Sequence, residues 1–183
     1  VVAKALDIPY MVAEASHAPK QSGGAWDVGY GETAKTIAAA DLVISFNETD
    51  NACLLPLLHN PDRLVSLKPF IDTEPFAAAL ATRDMTRQRI AGETGIDATV
   101  PWLVVVAMMR KDQKLESYRV LAQALDLVPD LPWALLVVGG GVADNDVRQA
   151  FAPLNDRIAW LGLRPHDDLP GIFAAADIYV WPA

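Results

Sequence analysis

The chain of 183 residues carries one cysteine, Cys53, so neither an internal disulfide framework nor a thiolate metal cluster can form within it. A lone thiol fits a reducing compartment, and the simplest role for Cys53 is that of a small buried residue on a helix. Long hydrophobic runs are also missing. The apolar stretch 103–109 is cut by Arg110 and the stretch 135–138 by glycines, both well short of the roughly 18 residues a membrane-spanning helix needs. Positive charge is scarce: 15 Lys and Arg stand against 23 Asp and Glu, a formal net charge of −8. That balance excludes a general polyanion-binding surface, so no nucleic acid is expected as a partner, while local basic sites remain open. No group of His, Asp and Glu has metal-ligand spacing, and Asp167-Asp168 reads as a helix start, so no metal is expected. An initiator methionine and a signal peptide are lacking as well. With the abrupt stop after Trp181-Pro182-Ala183, this leads to the expectation of an internal piece of a longer protein.

What is present is material for packed cores, with 52% hydrophobic and 21% charged residues. Short β-branched runs alternate with helical periodicity, the pattern of parallel sheets joined by crossover helices, and predict an α/β fold. Strands are expected over 8–15, 41–46 and 64–67, with a glycine-rich loop over 19–31 and a helix over 32–40. A further helix runs through Cys53 and Leu57, capped by Asn47 or Thr49, with Pro56 expected to kink or shorten it. Residues 68–101 read as a connection holding a charged helix over 82–93, where Arg83, Arg87 and Arg89 mix with Asp84 and Glu93 in a solvated face. Alternation then restarts with strands over 102–109, 133–138, 158–161 and 178–181. The helix over 114–128 carries Leu115, Tyr118, Leu121, Ala122, Leu125 and Val128 at core-facing spacing. The next has Asp144 or Asn145 as its cap and Val147, Phe151 and Leu154 on its inner face; the last bears Leu169, Ile172, Phe173 and Ala176.

In parallel α/β sheets ligands bind beyond the carboxyl ends of the strands. After the first strand of the second half stand Arg110, Lys111 and Lys114, suited either to phosphate at a helix start or to a solvated basic loop. After the second, Gly139-Gly140-Gly141 either brings backbone N–H groups to a ligand or makes a tight turn. After the third, the segment Gly162-Leu163-Arg164-Pro165-His166 either holds a flat base through main-chain contacts or is a loop capped by Asp167. A dinucleotide fingerprint fits poorly, since Gly139 and Gly141 are followed by Asp144 where a third small residue belongs, and no acid follows the next strand. His17, His59 and His166 read as solvated residues on spacing alone.

The order of these features resembles a retaining glycosyltransferase of family 4, one of the glycosyl transferases group 1. Ile8-Pro9-Tyr10 to His17 is similar to a late strand of the acceptor domain that ends at a histidine. Ala38-Ala39-Ala40-Asp41-Leu42-Val43-Ile44-Ser45 resembles the family's helix-to-strand turn. Lys68-Pro69-Phe70-Ile71-Asp72-Thr73-Glu74-Pro75-Phe76 resembles its interdomain linker, with Lys68-Pro69-Phe70 in place of the usual asparagine and glycine. Arg110 with Lys114, the turn from Leu135 to Gly141, Ile158 to Gly162 and Ala175-Ala176-Asp177 to Pro182 complete the likeness. Lys114 follows Arg110 by four positions where the family usually has five.

The resemblance implies two Rossmann-like domains of GT-B type, both incomplete. Residues 1–80 would be the end of the acceptor-side domain, 81–100 a linker with a charged helix, and 101–183 the first part of the nucleotide-sugar-binding domain. It further implies sugar transfer from a nucleotide-diphosphate sugar to an acceptor hydroxyl, with retention and without a metal. Catalytic roles fall to His17, Arg110 and Lys114, and donor contacts to Arg110, Lys114, Gly139, Gly141, Leu163 and Arg164. No cofactor is implied beyond the donor; the acceptor would be a lipid, a glycan or a small molecule, and the location cytoplasmic, with peripheral membrane contact allowed. The family's pair of glutamates would lie beyond Ala183, so the chain alone is expected to be inactive. A GT-B sugar-nucleotide epimerase and a non-catalytic ligand-binding α/β module are the alternatives.

Overall fold

The computed structural model describes residues 2–13, 17–19, 22–24 and 27–182. It divides into two compact units, Val1–Ile71 and Asp72–Ala183, each built on its own parallel sheet. The fold is α/β and Rossmann-like, as the alternation predicts.

In the first unit β1 (Met11–Ala13), β2 (Leu42–Ser45) and β3 (Leu64–Ser66) lie side by side in that order. Val43 aligns with Val12 on one side and Leu64 on the other. Around Val43 pack Ile37 and Ala40 from the end of α2 (Asp27–Ala39), with Leu54 and Leu58 from and beyond α3 (Glu48–Leu54). A short helix, α1 (Val2–Ala5), precedes the sheet. The last two residues of the expected strand over 8–15, 14 and 15, lie outside the described residues.

Helix α2 starts at Asp27, earlier than glycine content predicts. Gly29 and Gly31 sit inside it at a cost of about 1 kcal/mol each relative to alanine. The Tyr30 ring between them stacks on His17 at 3.8 Å, a tertiary contact that offsets the weak propensity. Asn47 caps α3 by accepting the Thr49 N–H at 3.0 Å. The helix ends at Leu54 and a single 3-10 turn over Leu55–Leu57 contains Pro56, so the proline shortens it.

The second unit is a three-layer sandwich. Its sheet runs in the order β6 (Ile158–Gly162), β5 (Ala134–Val138), β4 (Trp102–Val106), β7 (Ile178–Tyr179), all parallel. The two-residue period of a strand splits the side chains between two cores. Leu103, Val105, Leu135, Val137 and Ile158 face Leu115, Tyr118, Leu121 and Leu125 of α6 (Gln113–Asp126) and Val147 of α7 (Asp144–Ala150). Trp102, Val104, Leu136, Val138 and Ala159 face Ile90 of α5 (Arg83–Thr94) and Ile172 of α8 (Leu169–Ala175). A short α4 (Glu74–Ala79) also packs on α8. With both faces covered, the strands are near-continuous apolar runs.

Helix α5 belongs to this sandwich. The sequence places it in a connection over 81–100 with a solvated charged face, and that face is solvated only in part. Arg83 donates to the Ala174 and Ala176 carbonyls at 2.6 and 2.9 Å. Arg87 donates to the Ala175 and Ala98 carbonyls at 2.7 and 2.9 Å and lies over the Trp102 ring at 4.2 Å. These guanidinium groups satisfy the orphan carbonyls at the end of α8, where a helix dipole favours cations. Arg89 alone, paired with Glu93 in the next turn, has the expected exposed role. Two expected caps also differ. No side chain caps α7, because Asp144 lies inside the helix and bonds Arg148 at 2.7 Å. Asp167 sits in a 3-10 turn over His166–Asp168 and caps nothing.

Candidate functional site

From β4 the chain moves sideways to β5 and β6, then crosses back to lay β7 on the other side of β4. The carboxyl ends of β4 and β7 therefore flank the topological switch point, where open α/β sheets leave a crevice for ligands. A cleft of about 580 Å³ opens there, lined by Arg110 and Asp112 from the β4–α6 connection, Lys114 and Glu116 from the start of α6, and Trp181 and Pro182 after β7. Arg110 and Lys114, singled out as a pair in the sequence, thus meet in one cleft.

Local structure positions both cations. Asp112 caps α6 by accepting the Lys114 N–H at 2.8 Å, so Lys114 stands in the first turn. Its Nζ lies 4.7 Å from the centre of the Trp181 ring. Trp181 in turn meets the edge of Tyr118 at 5.3 Å. The Tyr118 hydroxyl donates to the Ala107 carbonyl at 2.9 Å, and burial, with a smaller contribution from Tyr179, pushes its pKa up to about 12. Arg110 is half exposed and its Nε lies 3.1 Å from Asp112 Oδ2. Lys111 points away, toward Asp146 at 3.6 Å.

The glycine turn serves the scaffold. Strand β4 stops at Val106, short of the expected Met109, and residues 107–109 run against the glycines as a lace of backbone hydrogen bonds. Ala107 donates to Val138, Met109 to Gly140 and Ala143 to Met109, all at 3.0 to 3.1 Å. A Cβ at Gly139 would lie 1.9 Å from the Ala107 carbonyl oxygen, and one at Gly141 2.3 Å from that of Met109. Both glycines also hold φ beyond +140°. The Gly139 N–H is spent on the Gly162 carbonyl at 2.9 Å. Their requirement is explained by backbone meeting backbone.

Leu163 is exposed and leans on Gly140, while Arg164 turns its Nε back to the Leu161 carbonyl at 2.9 Å. Neither lines the cleft of Arg110 and Lys114. His17 lies in the first unit and is buried, unlike the solvated residue spacing predicts. Its ring stacks on Tyr30, and its Nε2 has no hydrogen-bond partner among the described residues. Nothing in the local charge pattern marks Trp181 or Asp112 as cleft residues. Trp181 stands just after a strand, the position that singles out Arg110, and Asp112 stands two residues before Lys114, where an N-cap belongs. Among the described residues no three His, Cys, Asp or Glu side chains gather, and no helix is long and apolar enough to cross a membrane.

A parallel sheet with a cationic cleft at its switch point places the fold in a class, the Rossmann-like α/β proteins. The particular kinship is narrower: residues 100–183 match the family model for glycosyl transferases group 1. Among solved structures, Anabaena Alr3699/HepE in complex with UDP and glucose superposes with a TM-score of 0.71 at 13% identity, over 97% of this chain and 47% of that one. A glycosyltransferase from Rickettsia africae gives 0.65 at 17% identity, over 97% and 52%. UDP-N-acetylglucosamine 2-epimerase from Rickettsia bellii gives 0.53 at 15% identity, over 91% and 43%. The chain spans about half the length of these structures. No curated protein matches it.

Proposed function

We propose that this chain contributes the donor-phosphate site of a retaining, metal-independent glycosyltransferase of family 4 that uses a nucleotide-diphosphate sugar. The observation that carries the proposal is the meeting of Arg110 and Lys114 in the switch-point cleft beside Trp181. A diphosphate has the charge and size for such a cleft, and two fixed cations there favour the state in which negative charge grows on the departing phosphate. In the reaction, the bond between the anomeric carbon and the diphosphate oxygen breaks as the acceptor oxygen attacks from the same face. The acceptor proton passes to the leaving phosphate. Arg110 and Lys114 hold the diphosphate throughout, and a catalytic role for His17, whose ring is buried in the first unit, rests on the family resemblance alone. Acceptors of this class are lipids, glycans or small molecules, reached from the cytoplasm.

An epimerase shares the fold, so architecture alone does not choose between transfer and epimerisation. The match of residues 100–183 to glycosyl transferases group 1 favours transfer. Binding of UDP, GDP and ADP to the 183-residue chain is measured by titration calorimetry, and Arg110→Ala/Lys114→Ala should weaken the preferred one at least tenfold, as loss of two charge-assisted hydrogen bonds requires. Undiminished binding by the double variant would sink the assignment. For a longer protein containing this chain, conversion of the donor sugar to its epimer without an acceptor would decide for the epimerase.

A further inference from the structure

Asp112 stands where a ligand's phosphate would be expected. Its Oδ1 accepts the Lys114 N–H in the first turn of α6 at 2.8 Å, and its Oδ2 lies 3.1 Å from Arg110 Nε. One carboxylate therefore bridges a helix N-terminal N–H and a guanidinium, the two donor types that hold a phosphate in such sites. The other acid lining the cleft, Glu116, is paired with Arg119 at 2.6 Å and leaves Arg110 alone. Asp112 and Arg110 are both about half exposed, so their pair is weak enough for a doubly charged ligand to exchange.

We infer that Asp112 is an internal stand-in for the donor phosphate: it holds Arg110 at the rim of the cleft and surrenders it when a diphosphate arrives. This inference rests on the donor-phosphate reading of the cleft. Asp112 is then a positioning residue with two opposed effects. It keeps Arg110 and the α6 terminus in place, and its negative charge competes with the ligand for Arg110. Binding becomes an exchange of one anion for another, so affinity is set partly by the ease with which Arg110 leaves its carboxylate.

The test uses Asp112→Asn, because asparagine caps a helix as well as aspartate does while removing the charge. The 183-residue chain is titrated with UDP, GDP, ADP and inorganic pyrophosphate at low salt, as wild type, Asp112→Asn, Arg110→Gln and the double variant. Asp112→Asn should bind the preferred probe about three- to tenfold more tightly, with Tm within about 2 °C of wild type. In the Arg110→Gln background the same change should matter less than about twofold, because the contested partner is gone. Wild-type binding that Asp112→Asn leaves unchanged or weakens would overturn the inference and spare the donor reading. Equal tightening in both backgrounds would also overturn it, since removal of charge alone would suffice. If Asp112→Asn lowers Tm, Asp112→Ser, which also caps, is held to the same outcomes. Failure of wild type and every Asp112 variant to bind any of the four probes would remove the donor reading and this inference together.

Discussion

Asp177 and Trp102 hold each other by two hydrogen bonds: the Trp102 N–H donates to Asp177 Oδ2 at 2.7 Å, and the Asp177 N–H to the Trp102 carbonyl at 2.8 Å. Asp41 and Tyr10 repeat the device in the first unit, with the Tyr10 N–H on Asp41 Oδ2 at 2.9 Å and the Asp41 N–H on the Tyr10 carbonyl at 3.0 Å. Both aspartates follow a pair of alanines at the end of a helix. The motif thus sets the register of a strand as it enters beside its parallel neighbour. In the second unit Arg83 and Arg87 also close on the carboxylate.

Asp177→Asn should therefore lower stability by about 1–2 kcal/mol, since the Trp102 acceptor survives and the two cations lose a charged partner that is itself one-third exposed. Burial alone would raise the Asp177 pKa, but the Trp102 N–H, Arg87 and Arg83 outweigh it and the net direction is down. A lowered carboxylate pKa stabilises the fold above the unfolded value of about 3.9 and loses that contribution as pH falls through the folded value. Urea denaturation across the acid range should show a shallower fall for the variant than for wild type.

Tyr118 titrates at the other end of the scale. Its phenol, held to about 12 by burial and then by Tyr179, should stay protonated in an absorbance titration well past the ordinary tyrosine range. The raised value means full stabilisation below about pH 10, lost as pH climbs toward the folded pKa. Tyr118→Phe should cost about 1 kcal/mol through the abandoned Ala107 carbonyl and remove this alkaline dependence.

Glycines that look alike in sequence should part company under substitution. Gly139→Ala drives a methyl group into the Ala107 carbonyl at a φ of +142°, and a loss of at least about 3 kcal/mol is expected. Gly162 holds φ at +66° with open space around its missing Cβ, so Gly162→Ala should cost only about 1 kcal/mol and Gly162→Asn less. Equal Tm shifts for the two alanine variants would contradict the lace of backbone around Gly139.

Trp181→Leu keeps an apolar side chain under Lys114 and removes the ring face at 4.7 Å. A cation–π contact at this exposure is worth about 0.5–1 kcal/mol, so UDP binding should weaken about two- to fivefold, with Trp181→Phe restoring most of it. Calorimetry with both variants and with Lys114→Ala separates the ring's effect on lysine from any direct contact with the nucleotide.

The legibility of the sequence followed the range of the interaction. The strands of the second unit and the core face of α6 are readable because both are written locally, as a short β-branched run in Leu103 to Val106 and as a period of 3.6 in Leu115 to Leu125. Pro56 cut its helix for an equally local reason, a ring without an N–H. Arg83 and Arg87 looked like surface charges because the carbonyls and carboxylate they bind lie far along the chain, where no local pattern can point to them. The start of α2 is not legible because Gly29 and Gly31 argue against a helix locally, while the His17–Tyr30 stack that offsets them is tertiary. In the cleft, Arg110 and Lys114 were found by charge at a strand end. Trp181 was hidden by its apolar character, which suits a strand as well as a ligand platform.

The bond from the Trp102 N–H to Asp177 spans 75 residues of chain. A ribosome adding roughly 5–20 residues per second needs several seconds to cover that distance. Throughout that interval β4 has been made, while the Asp177 carboxylate that receives the Trp102 N–H and Arg87 has not. The order in which the sheet is wound, from the middle strand outward to one side and then back to the other, thus makes the nascent second unit a structure in waiting, locked only when its crossing strand is delivered.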